Sequence, residues 1–315
     1  MYDKKITSNE PGLIILLIDQ SNSMSDILVK TPEGESFSTA KMAKYVCDHF
    51  LYEIFSKCVR GNEFKPYLDL AVIGYGSGIR SALTKITLEQ FPFSVTELAD
   101  SYTKKNQGSD DTTVVPKPRL EWTDERAFGD TPMLEAFKKA RTIIENWLPN
   151  HKTSFPPFII NMSDGAPTDD QEILKMLYDG ILGDLSQTQL ISETNAIQKL
   201  GTDNGTSLIC NCHISSEMMK QVLYPTDITE INNIDGLAQI MFNMSSVIPD
   251  TLRKLGIGLG LPLEYNSKFF VFNADVGSLK SFMKFGTTAT SSLSSETPEL
   301  EDNNGNNSED SNNEN

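Results

Sequence analysis

The chain has 315 residues, of which 38% are hydrophobic and 22% charged, the balance of a soluble globular protein. Its formal net charge is −16, and residues 289–315 carry seven acidic side chains and no basic one, which leaves −9 for the rest of the chain. Such an acidic body without a cluster of Lys and Arg argues against nucleic acid or an anionic membrane as a partner, because both require a positive surface.

The start of the chain and its cysteines predict a cytoplasmic protein. Residues 1–9 are interpreted as a short N-terminal extension, and the first apolar run, Leu13–Ile18, is too short for a signal peptide or a membrane span. The four cysteines lack the spacing of a small disulfide-bonded domain, so we expect reduced thiols.

The first elements alternate between strand and helix. Gly12–Asp19 is a Leu/Ile run typical of a strand buried on both faces of a parallel sheet. Ser38 is the predicted N-cap of a helix whose apolar residues recur at helical spacing. The next predicted strand is Tyr67–Tyr75, and a short strand is possible around 80–86. Three alternate glycines at 74–78 lack the spacing of a nucleotide-binding loop and predict a strand-end turn.

The middle of the chain contains a segment without strong periodicity, residues 87–128, which is interpreted as an insertion. A second clear helix follows Thr131-Pro132, because proline suits the first helical position and threonine suits the N-cap before it. A strand is then predicted at Phe158–Met162, and it runs into Ser163-Asp164-Gly165.

The remaining sequence continues the alternation. The predicted elements are helical sequence at 169–200, strand Thr206–His213, helix Ile234–Leu255, strand Phe269–Asn273 and helix Val276–Lys284. This pattern predicts an α/β fold with a doubly wound, mostly parallel central sheet flanked by helices, as one domain over 10–287. The acidic tail, 288–315, is rich in Ser and Asn and has little to bury, so we expect it to be disordered.

Polar motifs stand at the predicted strand ends or in the loops that follow them. They contain Asp19, Ser21, Ser23, Thr131 and Asp164. Because ligands of open α/β sheets bind outside the carboxyl ends of the strands, we expect these five residues to converge. Two carboxylates and three hydroxyls are hard oxygen donors, which suit Mg²⁺, or alternatively Mn²⁺ or Ca²⁺, rather than zinc.

The order of these motifs resembles the metal-ion-dependent adhesion site of von Willebrand factor A (VWA) domains, in which D-x-S-x-S is followed by a helix-opening threonine and then by S/T-D-G. The resemblance implies a Rossmann-like VWA fold, in which Ser21, Ser23 and Thr131 supply hydroxyls directly to the metal. Asp19 and Asp164 would act mainly through bound water. It further implies that the under-neutralised cation binds one more anion, in the family usually a Glu or Asp carboxylate of a protein partner.

Beyond the motifs, the chain is similar to a group of intracellular bacterial VWA proteins over most of residues 10–287. The shared segments are Phe155–Pro157, Cys212-His213 and Phe272–Asp275. The gap before the threonine is longer than in compact members of the family. Asp130 also adds a carboxylate where many relatives have glycine, which would tighten metal binding or weaken attraction for an acidic partner.

A zinc site at Cys210-x-Cys212-His213 is the main competing metal hypothesis. Alternation along a strand places the two cysteines on one face and the histidine on the other. The sequence offers no second Cys/His cluster that would complete four ligands. Core packing is therefore the preferred interpretation of these residues.

The predicted function is a metal-dependent protein-protein interaction module and not an enzyme. The resemblance allows a role in a bacterial kinase/phosphatase signalling or stress system, and an adaptor of an AAA+ ATPase is the alternative within binding functions. The alternative of a different class is a metal-dependent hydrolase or phosphatase. Against it, Ser21 stands where aspartate-based phosphatases have a second acid, and G-x-S-x-G is absent. The sequence does not define the oligomeric state.

Overall fold

The computed structural model describes residues 1–30, 36–60, 63–98, 121–214, 220–231, 236–273 and 281. Within these residues the chain forms one mixed eight-stranded sheet. The strands are β1 (Gly12–Asp19), β2 (Leu68–Gly76), β3 (Gly78–Ser81), β4 (Phe93–Ser94), β5 (Phe158–Ser163), β6 (Leu208–His213), β7 (Val222–Leu223) and β8 (Phe270–Phe272). Their order across the sheet is β7-β8-β6-β5-β1-β2-β3, and β4 also pairs with β2.

The direction of chain growth changes at β1. Strands β2, β1, β5, β6 and β8 pair in parallel, whereas β3, β4 and β7 pair antiparallel with their neighbours. The chain first adds strands on one side of β1 and then, from β5 onward, on the other side. A switch point therefore lies between β1 and β5, the position at which doubly wound sheets bind ligands. The predicted doubly wound, mostly parallel α/β architecture is confirmed.

Helices cover both faces of this sheet. The described helices are α1 (Thr39–Cys58), α2 (Met133–Trp147), α3 (Gln171–Asp179), α4 (Gln189–Ile197), α5 (Gly236–Met244) and α6 (Asp250–Gly258). One apolar layer joins alternate residues of β1 to α1 and α6, and the other layer joins the remaining residues of β1 to α2, α3, α4 and α5. All eight residues of β1 are buried, which explains its uninterrupted apolar sequence.

Shorter elements connect these layers. The 3-10 turns are Asn22–Ser25, Leu88–Gln90, Leu148–Asn150, Leu185–Gln187 and Ile228–Glu230. The small antiparallel pairs are Ile27–Lys30 with Ser36–Ser38, Val59–Arg60 with Glu63–Phe64, and Gly201–Thr202 with Gly205–Thr206. None of the described helices is long and apolar enough to cross a membrane.

Several local predictions are confirmed. Ser38 caps α1, and its hydroxyl accepts a hydrogen bond from Lys41 N at 3.0 Å. The alternate glycines form the predicted turn, because Gly76 pairs with Gly78 across the β2–β3 hairpin. Gly78 has a φ of +82°, which favours glycine. The boundary of the predicted extension 1–9 stays a prediction; Ile6, within it, is only 2% exposed and belongs to the apolar layer that contains α1.

Other local predictions are wrong. The single helix predicted over Ile234–Leu255 is interrupted: α5 ends at Met244, and α6 begins at Asp250, directly after Pro249. Proline has no N–H and restricts the residue before it, so the helix cannot continue through this position. That the segment 87–128 is an insertion stays a prediction, although its described part contains β4 and the buried Trp122. Residues 99–120 of that segment, most of the predicted helix Val276–Lys284 and the tail 288–315 lie outside the described residues.

Candidate metal centre

The candidate centre lies at the switch point of the sheet. Asp19 is the last residue of β1, and Asp164 directly follows the last residue of β5. The two strands are parallel neighbours, with Ile18 opposite Met162. Both carboxylates are therefore delivered to the same end of adjacent strands, as the motif positions predicted.

Hydrogen bonds join the polar side chains from both strands. Ser163 Oγ donates to one oxygen of Asp19 at 2.5 Å, and Ser21 N donates to the other at 2.9 Å. Ser23 Oγ donates to Asp164 Oδ1 at 2.7 Å and lies 2.9 Å from Ser21 Oγ. Four of the five predicted ligands, together with Ser163, are thus linked by direct contacts.

The fifth predicted ligand, Thr131, meets the others beside Gly165. A Cβ atom built on Gly165 would lie 2.9 Å from Ser23 Oγ, 3.0 Å from Thr131 Oγ1 and 3.5 Å from Asp19 Oδ2. Three oxygen atoms, two from the D-x-S-x-S motif and one from Thr131, therefore surround one small space that glycine leaves open. The structure brings all five predicted residues together.

Burial in the site disfavours the charged forms of both aspartates. Burial raises the pKa of Asp19 to about 6, although hydrogen bonds from Ser163 and Ser21 oppose the shift. Burial also raises the pKa of Asp164 to about 7; the Ser23 hydroxyl lowers it, and the charges of Asp19 and Asp26 raise it further. Both shifts disfavour the ionised carboxylates, so a positive charge placed between them would stabilise the site.

The donor set fits a hard divalent cation. All five predicted ligands offer oxygen, which Mg²⁺, Mn²⁺ and Ca²⁺ prefer. Asp19, Ser21 and Thr131 are at most 4% exposed, so their positions are held by the surrounding fold. Ser23 and Asp164 are more exposed and leave one side of the site open. A cation held here would face solvent or a partner on that side.

The prediction that Thr131 caps α2 is wrong. The helix starts at Met133 and has Pro132 at its N-cap position, with no side-chain cap from that residue. The cap comes instead from Asp169, whose two carboxylate oxygens accept from Leu134 N at 3.1 Å and Glu135 N at 2.8 Å. The hydroxyl of Thr131 is therefore not required by the helix and lies at the site.

The intervening residues of D-x-S-x-S hold the segment that leads to Thr131. Gln20 Nε2 donates to Asp124 Oδ1 at 3.1 Å, and Gln20 O accepts from Phe128 N at 2.7 Å. Asn22 N donates to Gly129 O at 3.0 Å, and Asn22 Oδ1 accepts from Gly129 N at 3.2 Å. Sequence reasoning missed these residues, because both positions are variable in the motif and their partners are over 100 residues away.

The residues of the competing zinc hypothesis, Cys210, Cys212 and His213, lie elsewhere in the fold. Cys210 and Cys212 are fully buried in the layer beneath α1, while His213 stacks on Phe272 at a centroid distance of 4.8 Å. This is the core packing that strand alternation predicted. Asp130, the extra carboxylate beside Thr131, is exposed.

No family model and no curated protein matches the chain. Among solved structures it is similar to the PilB minor pilin from Streptococcus sanguinis, with 11% identity, a TM-score of 0.46 and coverage of 90% of this chain and 62% of that one. It is also similar to the vWF domain of the type V pili tip protein Mfa5 from Porphyromonas gingivalis (12% identity, TM-score 0.41, 90% and 97% covered). A third is a von Willebrand factor type A protein from Catenulispora acidiphila, with 11% identity, a TM-score of 0.41 and coverage of 89% of this chain and 43% of that one.

The sequence identities to these structures are low, and several of the matches cover only part of a longer protein. The chain spans about three fifths of the PilB structure and about a fifth of a three-domain structure of Mfa5. The α/β assignment therefore rests on the strand order and register of this chain itself.

Proposed function

We propose that this protein is a VWA-type interaction module that holds one divalent cation, Mg²⁺ first, through Asp19, Ser21, Ser23, Thr131 and Asp164. The observation that carries the proposal is the convergence of these oxygen donors beside Gly165 at the switch point of the sheet. A bound Mg²⁺ would supply a positive centre with an open position for one more anion. The chain's own residues would hold it and leave that position facing outward.

The proposed ligand is a Glu or Asp carboxylate of a protein partner. The three donors that would contact the cation directly are neutral hydroxyls, and Asp19 and Asp164 would act mainly through bound water. The direct ligands would therefore leave the cation with affinity for an anion. The exposed side of the site, at Ser23 and Asp164, is where such a carboxylate would approach. A kinase/phosphatase signalling or stress complex remains the proposed setting, and an AAA+ ATPase assembly the alternative.

We further propose that the protein acts in the cytoplasm and without catalysis. All four cysteines are free and buried, which is compatible with a reducing compartment. The motif offers two carboxylates, and each is engaged by serine groups that would orient it for metal binding rather than for proton transfer. Turnover of a phosphoprotein that is abolished by Asp19→Ala would overturn the non-catalytic assignment.

The first test is calorimetric titration of the metal-free full chain with Mg²⁺ and with Mn²⁺. Ser23→Ala should weaken binding by at least about tenfold, because one donor is removed from the site. Ser25→Ala is the matched control: Ser25 belongs to the same 3-10 turn, but its hydroxyl donates outward to Asn22 O at 2.8 Å. Asp19→Ala and Thr131→Ala should abolish binding.

The second test is a pull-down of partners in Mg²⁺ and in excess EDTA. Capture that requires Mg²⁺ and is lost with Ser23→Ala, but not with Ser25→Ala, would support a metal-bridged interaction. Equal capture in EDTA would contradict the bridging role even if the cation binds. Absence of one-site cation binding by the wild-type protein, in the titration, would contradict the metal centre itself.

A further inference from the structure

The position of Thr131 is not explained by α2, the helix that follows it. Thr131 stands two residues before the start of α2, and the intervening Pro132 provides no side-chain cap. Only one hydrogen bond within the segment ties it to the helix, from Met133 N to Thr131 O at 2.8 Å. A threonine in such a position would be free to turn its hydroxyl away from the site.

Thr168 holds the backbone of Thr131 from both sides. The Thr168 hydroxyl accepts from Thr131 N at 2.9 Å, and Thr168 N donates to Thr131 O at 2.9 Å. Thr168 and Thr131 therefore exchange two hydrogen bonds, as paired residues of neighbouring strands do. The difference is that the hydroxyl of Thr168, and not its backbone carbonyl, accepts from Thr131 N. Because Thr168 lies only four residues after Asp164, this pairing couples the two segments that carry predicted ligands.

Asp169 fixes the direction in which the helix leaves the site. Its carboxylate accepts from Leu134 N and Glu135 N, the second and third amides of α2. A negative charge at these amides also interacts favourably with the positive end of the helix dipole. Since the cap comes from Asp169, Thr131 Oγ1 is available beside Gly165, 3.0 Å from the position of a Cβ built there.

We propose that Thr168 and Asp169 are positioning residues that set the geometry, and hence the cation affinity, of the candidate centre through Thr131. Together they make four hydrogen bonds to residues 131–135 and leave the Thr131 hydroxyl to the cation. Neither residue is a predicted ligand. The effect on affinity rests on the proposed function, whereas the positioning of Thr131 does not.

The test compares two threonines that both accept from a backbone amide through their hydroxyl. Thr168→Val removes the acceptor for Thr131 N while keeping the branched shape. Thr188→Val is the control, because Thr188 is fully buried and its hydroxyl accepts from Ile191 N at the start of α4 and not from Thr131 N. Thr168→Ser restores the hydroxyl. The readouts are the Mg²⁺ dissociation constant, the melting temperature and the ¹³C-methyl NMR signal of Thr131.

We expect Thr168→Val to weaken Mg²⁺ binding by about tenfold to a hundredfold, the usual effect of removing a group that orients a ligand. Thr168→Ser should bind as the wild type does, and Thr188→Val should lower the melting temperature without changing the affinity. Asp169→Asn, which keeps one acceptor oxygen, should give a smaller loss of affinity than Asp169→Ala. The Thr131 methyl signal should shift in Thr168→Val and stay in place in Thr188→Val.

An unchanged Mg²⁺ affinity in Thr168→Val, together with an unmoved Thr131 methyl signal, would overturn the proposal. A loss of affinity that Thr188→Val reproduces at equal destabilisation would also overturn it, since the effect would then reflect general stability. If the wild-type protein binds no cation, the proposed function fails. The methyl signal of Thr131 then still decides whether Thr168 positions this residue.

Discussion

Gly165→Ala tests the candidate centre most directly, because it places a methyl group beside two of the predicted ligand oxygens. Gly165 has no positive φ, so alanine is compatible with its backbone. The added methyl carbon would lie 2.9 Å from Ser23 Oγ and 3.0 Å from Thr131 Oγ1, whereas ordinary contact begins at 3.4 Å. The two oxygens must therefore retreat by about 0.5 and about 0.4 Å, the differences between these distances.

The expected cost to folding is small. Both contacts are with the ends of short side chains, which can rotate, and an off-rotamer side chain costs about 0.5–1.5 kcal/mol. Replacing glycine also reduces the entropy of the unfolded chain, which returns about 0.4–1 kcal/mol. We expect the free energy of unfolding to fall by no more than about 2.6 kcal/mol, the two largest rotamer costs less the smallest entropic gain.

The expected cost to cation binding is larger. Mg²⁺ requires near-ideal octahedral geometry at about 2.0–2.1 Å, so displacing two oxygens by about 0.4–0.5 Å should weaken binding by at least about tenfold, or about 1.4 kcal/mol. Ca²⁺ accepts longer and more variable bonds and should be affected less. Titration calorimetry with both ions, alongside urea unfolding, measures the two effects separately.

Gly258→Ala provides the control for this substitution. Gly258 is exposed at the end of α6, and no atom lies within 4 Å of a Cβ built there. It should keep the wild-type Mg²⁺ affinity and be at least as stable as the wild type, because alanine has the higher helix propensity. Wild-type Mg²⁺ binding by a folded Gly165→Ala protein would refute the proposal that Ser23 Oγ and Thr131 Oγ1 bind the cation in the positions seen here.

The remaining predictions concern stability. Asn211→Ala removes the centre of a buried network in which Asn161 Nδ2 donates to Asn211 Oδ1 at 3.0 Å, and it should cost about 3 kcal/mol in urea unfolding because buried polar groups lose their partners. Asp48→Ala removes a carboxylate oxygen that accepts from Thr123 N at 2.9 Å and from Thr123 Oγ1 at 2.8 Å, and it should cost about 2 kcal/mol. Burial lowers the pKa of Lys268 from 10.5 to about 8. The unfolded chain then binds more protons between these pH values, so stability should rise by up to about 3 kcal/mol from pH 8 to 10.5, and Lys268→Met should lack this rise.

The predictions for Asn211 and Lys268 each have a matched comparison. Asn243→Ala removes an exposed amide that donates only to Gln239 O within α5, and it should cost less than about 0.5 kcal/mol. For Lys268, the quantity of interest is the difference between the wild-type and Lys268→Met stability curves, in which the titration of all other groups cancels. A difference that stays constant from pH 8 to 10.5 would show that the ammonium group is not desolvated in the folded state.

The sheet could be predicted from the sequence where burial dominates. β1 and β5 lie between two helical layers, so their apolar runs reflect burial on both faces. β4 was missed because two residues, paired with Asp69 and Leu70, are too few to show a period. The break between α5 and α6 was missed although Pro249 marks it, because the apolar spacing continues through the proline and was given more weight.

The sequence was sufficient to predict which residues form the candidate site, but not which hydrogen bonds hold them in position. Asp19, Ser21, Ser23 and Asp164 lie at or just after the ends of β1 and β5, which meet at one edge because the strands are parallel, and the structure places Thr131 beside them. The cap of α2 could not be predicted, because a threonine before a helix is locally a good N-cap, while the actual cap, Asp169, lies 34 and 35 residues beyond the amides it accepts from. Binding of a cation stays a prediction.

The residues of the motif D-x-S-x-S have two different roles. Asp19, Ser21 and Ser23 face the candidate centre, while Gln20 and Asn22 hold the segment just before Thr131 by five hydrogen bonds. The end of the insertion is therefore anchored next to the site whatever the length of chain that precedes it. Because the entropy of closing a loop grows only slowly with its length, the segment 87–128 can be long without disturbing the donors. This separation explains how a distant threonine joins the same site as a motif near the N-terminus.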